Sequence, residues 1–95
     1  LETINSSIDL KGISGLSIFP NPANEQFFLT TEKTYRDVQL RMYNSLGQVV
    51  LQKTYLQFPT GVASHIRTAT LPAGVYFVTL INESHKGVYK IVIEH

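Results

Sequence analysis

From Leu16 onward, apolar and polar residues alternate with a period of two, and turn residues cut the alternation roughly every 8–12 positions. That rhythm belongs to β-strands, whose successive side chains point to opposite faces. The pattern predicts strands over residues 16–19, 26–31, 36–43, 48–58, 64–70, 74–82 and 86–94. In the third, Val38, Leu40 and Met42 share one face and Gln39, Arg41 and Tyr43 the other. The fourth is long enough to bend midway. The sixth contains VYFVTLI, apolar on both faces, which places it centrally in a sheet. No window carries the 3.6-residue period of a helix. About seven short strands suit an all-β, immunoglobulin-like β-sandwich of two antiparallel sheets.

The breaks between strands each have a physical cause. Pro20 and Pro22 cannot donate a ladder hydrogen bond, and each pushes the residue before it out of the helical region. The first strand therefore stops at Phe19, and Pro20-Asn21-Pro22 forms a corner before Gln26. Asn44-Ser45-Leu46-Gly47 predicts a tight hairpin with Gly47 at positive φ. Leu71-Pro72-Ala73-Gly74 predicts a turn in which proline presets φ and Gly74 relieves the corner. A hairpin loop is expected over 82–87. Residues 1–15, LETINSSIDLKGISG, are polar and carry Ser and Gly, and read as a linker that holds at most one loose strand.

Composition narrows the function classes. A chain of 95 residues, 43% hydrophobic and 16% charged, makes one globular domain that depends on a single core. Its net charge is +1 and its charges are scattered along the sequence, so nucleic-acid binding has no support. No apolar run approaches the ~18 residues of a membrane span, and direct membrane insertion is not expected. No signal peptide opens the sequence; if the protein is exported, its leader is expected upstream of Leu1. The absence of cysteine removes disulfides, thiolate metal sites and a cysteine nucleophile, without fixing the compartment.

Catalytic chemistry is not visible. His65, His85 and His95 match no zinc spacing and read as surface imidazoles; His95 is also where a purification tag would begin. There is no G-x-S-x-G nucleophile elbow, calcium loop or Gly-rich phosphate loop. Asp9, Asp37, Glu83 and Glu94 lie far apart in sequence. No catalytic residue, metal or cofactor is assigned, and an enzyme is not expected. Asn5-Ser6-Ser7 and Asn82-Glu83-Ser84 match a glycosylation triplet that arises often by chance. Tyr35, Tyr43, Tyr55, Tyr76 and Tyr89 could stack on sugars if exposed together, although tyrosine is also an ordinary strand and corner residue.

The order of four pieces is more specific than any one of them: LSIFPNPANEQFFLTT, VQLRMYNSLGQVV, LPAGVYFVTLI and KGVYKIVIE. Together they resemble the type A C-terminal sorting domain of the type IX secretion system of Bacteroidota. The resemblance implies a non-enzymatic address label over 16–95 at the end of a cargo. It implies partners as well: the cargo in cis, the outer-membrane translocon with its shuttle component, and a surface sortase that cuts within or before residues 1–15. The label would stand in the periplasm in transit, then at the outer membrane and cell surface or outside. Within the motifs, Pro20, Asn21, Pro22, Gly47, Leu71, Gly74 and Tyr76 take structural roles at corners and turns. Lys90, Ile91, Val92, Ile93 and Glu94 are the candidates for translocon recognition, because family members depend on their last residues. Many relatives finish on a basic or apolar residue, whereas this chain finishes Glu94-His95. One physical route to recognition is strand addition to unpaired N–H and C=O groups on the edge of the terminal strand, with Lys90 guarding against self-association. The alternatives are an immunoglobulin-like adhesion or carbohydrate-binding module kept on the mature protein, and a spacer packed on a catalytic domain.

Overall fold

A computed structural model describes residue 13, residues 15–58 and residues 63–95. The first twelve residues, and with them Asp9 and Asn5-Ser6-Ser7, lie outside that set, as do residue 14 and 59–62. The described chain is all strand and turn, with β1 Ser17–Phe19, β2 Gln26–Thr30, β3 Tyr35–Tyr43, β4 Val49–Phe58, β5 Ser64–Arg67, β6 Gly74–Ile81 and β7 Lys86–Ile93. Two sheets form, a three-stranded one in the order β1-β2-β5 and a four-stranded one in the order β4-β3-β6-β7, with antiparallel pairing throughout. This is the expected immunoglobulin-like sandwich of seven strands. The doubly apolar β6 lies between β3 and β7, as its sequence requires.

The core fills the space between the sheets. Phe27 and Leu29 of β2 and Ile66 of β5 face Val38, Leu40 and Met42 of β3, Val78 and Leu80 of β6, and Ile91 and Ile93 of β7, all fully buried. Each such side chain contributes roughly 1.5–3 kcal/mol of burial free energy. Ile13 is also buried, so the packed unit begins ahead of β1.

Strict alternation fails in two places, each with a local cause. Tyr35 and Val38 both face the core although they are three residues apart; Asp37 between them stands at φ 54°, which resets the phase of the strand. The partner strand follows: Tyr55 and Phe58 oppose Val38 and Tyr35, and their rings meet edge-on at 5.0 Å. The bend anticipated midway along the fourth strand is thus a change of phase around exposed Leu56, near its end. A second irregularity pairs Met42 with Leu51 but Tyr43 with Val49, leaving Val50 as a bulge beside the hairpin. β5 stops at Arg67, short of the expected 64–70, because Thr68 is diverted into a tertiary contact described below.

The division into faces predicts that Leu80→Ala costs about 2–5 kcal/mol in chemical denaturation, whereas Leu56→Ala stays within about 0.5 kcal/mol. Equal losses would contradict it. A second expectation concerns alkaline pH. Burial raises the ionisation of Tyr55 above the ordinary tyrosine value of 10.0. It raises Tyr89 too, with a smaller opposing effect from a backbone hydrogen bond to Ile13 and a small further push from Tyr35. A raised folded-state value favours folding below the unfolded value and loses that contribution as pH climbs through the folded one. Stability should therefore decline above about pH 10, and the double variant Tyr55→Phe, Tyr89→Phe should flatten the decline. An unchanged alkaline limb in that variant would assign the effect to other groups.

Candidate functional site: a corner clamped to the terminal strand

β7 is an edge strand, and its alternate residues turn their backbone groups away from β6. The sequence led to the expectation that these groups are unpaired. Over the last part of the strand they are not. The Asn21 side chain donates through Nδ2 to the Lys90 carbonyl at 3.2 Å and accepts the Val92 N–H on Oδ1 at 3.0 Å. Ala23 then continues the pattern with its backbone: its N–H donates to the Val92 carbonyl and its carbonyl accepts the Glu94 N–H, both at 2.8 Å. Ala23 and Ile93 form a parallel bridge. A primary amide has one donor group and one acceptor, so Asn21 imitates a peptide unit and Ala23 supplies a real one. The strand-addition route is therefore corrected at Val92 and Glu94: their outward groups are already taken.

Pro20-Asn21-Pro22 suits this task. Neither proline brings an N–H that would need a partner, and both peptide bonds into the prolines are cis. Ala23 is 1% exposed, and little room remains there for a larger side chain. The same corner is fastened to the other sheet. Thr68, fully buried, donates its N–H to the Glu25 carbonyl at 2.8 Å and its hydroxyl to the Asn24 carbonyl at 3.0 Å. His95 adds a contact from beyond β7, with Nε2 donating to the Leu71 carbonyl at 2.7 Å and Nδ1 3.1 Å from the Asn24 amide oxygen.

The remaining motif residues sit at separate corners. Gly47 has φ 83° in the β3–β4 hairpin, where Asn44 organises the turn by accepting the Leu46 and Gln48 N–H groups on Oδ1. Gly74 has φ 154°, and the Tyr76 hydroxyl donates to the Pro72 carbonyl at 2.6 Å, so L-x-x-G-x-Y is a turn tied down by the tyrosine that follows it. Of the five recognition candidates, Ile91 and Ile93 are core residues; Lys90 and Glu94 are exposed and Val92 half-buried.

The other candidates do not converge. His65 stands beside Phe28, His85 beside Tyr35 and Asn82, and His95 at the clamp. Among the described residues no group of three His, Asp or Glu could hold a metal ion. Asp37 and Glu83 do line one open depression of about 290 Å³, and both are exposed. Asn82 is engaged in its hairpin, accepting from Ser84 and His85 and donating to the Arg36 carbonyl. The tyrosines form no platform, since Tyr35 and Tyr76 are buried and Tyr43, Tyr55 and Tyr89 are half-buried on different faces. An aromatic row exists elsewhere: Phe19, Phe28 and His65 lie side by side across the outer face of the three-stranded sheet, at successive centroid distances of 5.7 Å. Pairing alone creates that row, and no spacing in the sequence announces it.

Asn21→Ala removes both amide bonds and is expected to cost about 1–2 kcal/mol in denaturant. The decisive measurement is amide exchange: Val92 should lose protection while Ile91, which faces β6, keeps its own. Equal protection at Val92 in the variant would show that the amide is not the clamp.

A family model described as a secretion system C-terminal sorting domain matches residues 17–94, from the first residue of β1 to the last backbone partner of Ala23. Among solved structures the chain is similar to PorZ, described as an essential bacterial surface component of the type-IX secretion system of Porphyromonas gingivalis. The TM-score is 0.63 at 10% identity, a likeness of fold, covering 85% of this chain and 12% of that one. No curated protein sequence matches. With the family match spanning every strand and both ends of the clamp, the chain belongs to the C-terminal sorting domains of the type IX secretion system.

Proposed function

We propose that this domain is the removable export label of a cargo attached ahead of Leu1. The cargo reaches the periplasm by a separate leader. The outer-membrane translocon, with its shuttle component, recognises the folded label and passes the cargo to the surface, where a sortase cuts within or before residues 1–15. The label itself does no chemistry. One observation carries this reading: the family match over residues 17–94 takes in the whole sandwich, including the corner and the strand it clamps. Recognition near the terminus would draw on Lys90, Val92 and Glu94, because Ile91 and Ile93 are committed to the core.

A second reading, an adhesion or carbohydrate-binding module retained on the mature protein, is favoured by the Phe19–Phe28–His65 row, since aromatic faces can stack on sugars. The two differ in the fate of the domain. Residues 1–95 fused to a periplasm-targeted fluorescent protein should carry it to the surface of a host with a type IX system. Intact mass of the surface product should then lack residues 16–95. Fluorescence confined to the periplasm would sink the sorting role, and a surface product that keeps the domain would favour the module.

A further inference from the structure

The outer face of the four-stranded sheet has a composition that its sequence conceals. Register sets Tyr43, Phe77 and Lys90 side by side, then Arg41, Thr79 and Val88, then Gln39, Ile81 and Lys86. Gln52 and Thr54 extend the second and third rows, Val49 the first, and Val75 with Val92 lie beyond it. Large apolar side chains on this face are open to solvent: Val75 at 37%, Phe77 at 39% and Val88 at 56%. The charged residues on these rows are Arg41, Lys86 and Lys90, all cations; the carboxylates Asp37 and Glu83 border the third row, where they share a depression with Gln39 and Ile81.

These cations have no anionic partner among the described residues. The Arg41 Nε is buried without a hydrogen-bond partner, and its Nη2 has only a long contact of 3.4 Å with Gln39 Oε1. Arg41 and Lys86 line a groove of about 180 Å³ floored by Thr79 and Ile81 and bounded by Tyr43. A guanidinium and an ammonium across a small concavity form a receptor for a carboxylate.

We infer that this face docks a protein partner whose surface carries apolar side chains interspersed with carboxylates, one of which enters the Arg41–Lys86 groove. Charge complementarity decides among occupants. A second copy applied to the same face would set like charges against each other, which is costly. The inference deepens the sorting reading, on which it rests for the setting in which such a partner is met, by assigning the chemistry of that partner.

The test is a titration of isotope-labelled residues 1–95 with a synthetic peptide in which Val and Glu alternate, followed by amide chemical shifts. Shifts should move at Arg41, Thr79 and Val88 and stay fixed on β2 and β5. Affinity should fall about tenfold when Gln replaces Glu in the peptide, and similarly for Lys86→Glu with Lys90→Glu, both exposed residues whose change leaves the fold intact. Arg41→Gln should lose the groove contact while its thermal midpoint stays near that of the parent. Silence at those amides, equal shifts with a Val–Lys peptide, or equal shifts with phosphatidylglycerol vesicles would overturn the assignment. So would broadening of the same amides with chain concentration alone, the sign of a second copy. In the reporter fusion, Lys86→Glu with Lys90→Glu should lower surface delivery about tenfold relative to the parent domain; equal delivery also overturns it. A parent domain that fails to deliver the reporter condemns the sorting reading instead, and the titration then judges the face by itself.

Discussion

Four hydrogen bonds between the Asn21–Ala23 corner and the outer edge of β7 hold this sandwich closed. Each is worth only about 0.5–1.5 kcal/mol net, but their position gives them leverage. The corner continues from β1 into β2 of one sheet and grips the last strand of the other, while Thr68 ties it back to the end of β5. Without that grip the edge of β7 would present unpaired backbone groups next to Ile91 and Ile93, whose burial the core needs. A small domain with no disulfide has few other ways to join its sheets at the rim.

Much of the fold was legible because one face of each sheet is buried, and burial of one face imposes alternation. Val38, Leu40 and Met42 announce their shared face in order, and VYFVTLI announces its central place. Gly47 and Gly74 are readable because positive φ favours glycine. What stayed hidden depends on partners far away in sequence. Nothing around Asp37 says that this aspartate takes a positive φ and lets Tyr35 join Val38 in the core. Nothing around Ala23 says that its backbone completes a strand edge, because the information lies in Val92 and Glu94. Pro20-Asn21-Pro22 could be read as a corner, but its prolines explain only the bend, and the amide between them does the gripping.

Charge shows the same limit. Along the sequence the cations are scattered and the net charge is +1, which suggests an unremarkable surface. Strand register gathers Arg41, Lys86 and Lys90 onto one face, while Asp37 and Glu83 line a depression at its margin. An overall balance near zero is thus compatible with a locally one-signed surface. The aromatic row of Phe19, Phe28 and His65 arises in the same way, from three strands that each contribute one ring.

The clamp also carries information about the history of the chain. Asn21 and the Val92 amide it accepts are 71 positions apart, so a ribosome that has finished the corner has nearly the whole domain still to make. A product abandoned before Val92 leaves the corner at most the Lys90 carbonyl to grip, and its core lacks Ile93. Closure of the sandwich therefore certifies that synthesis ran through to the final strand.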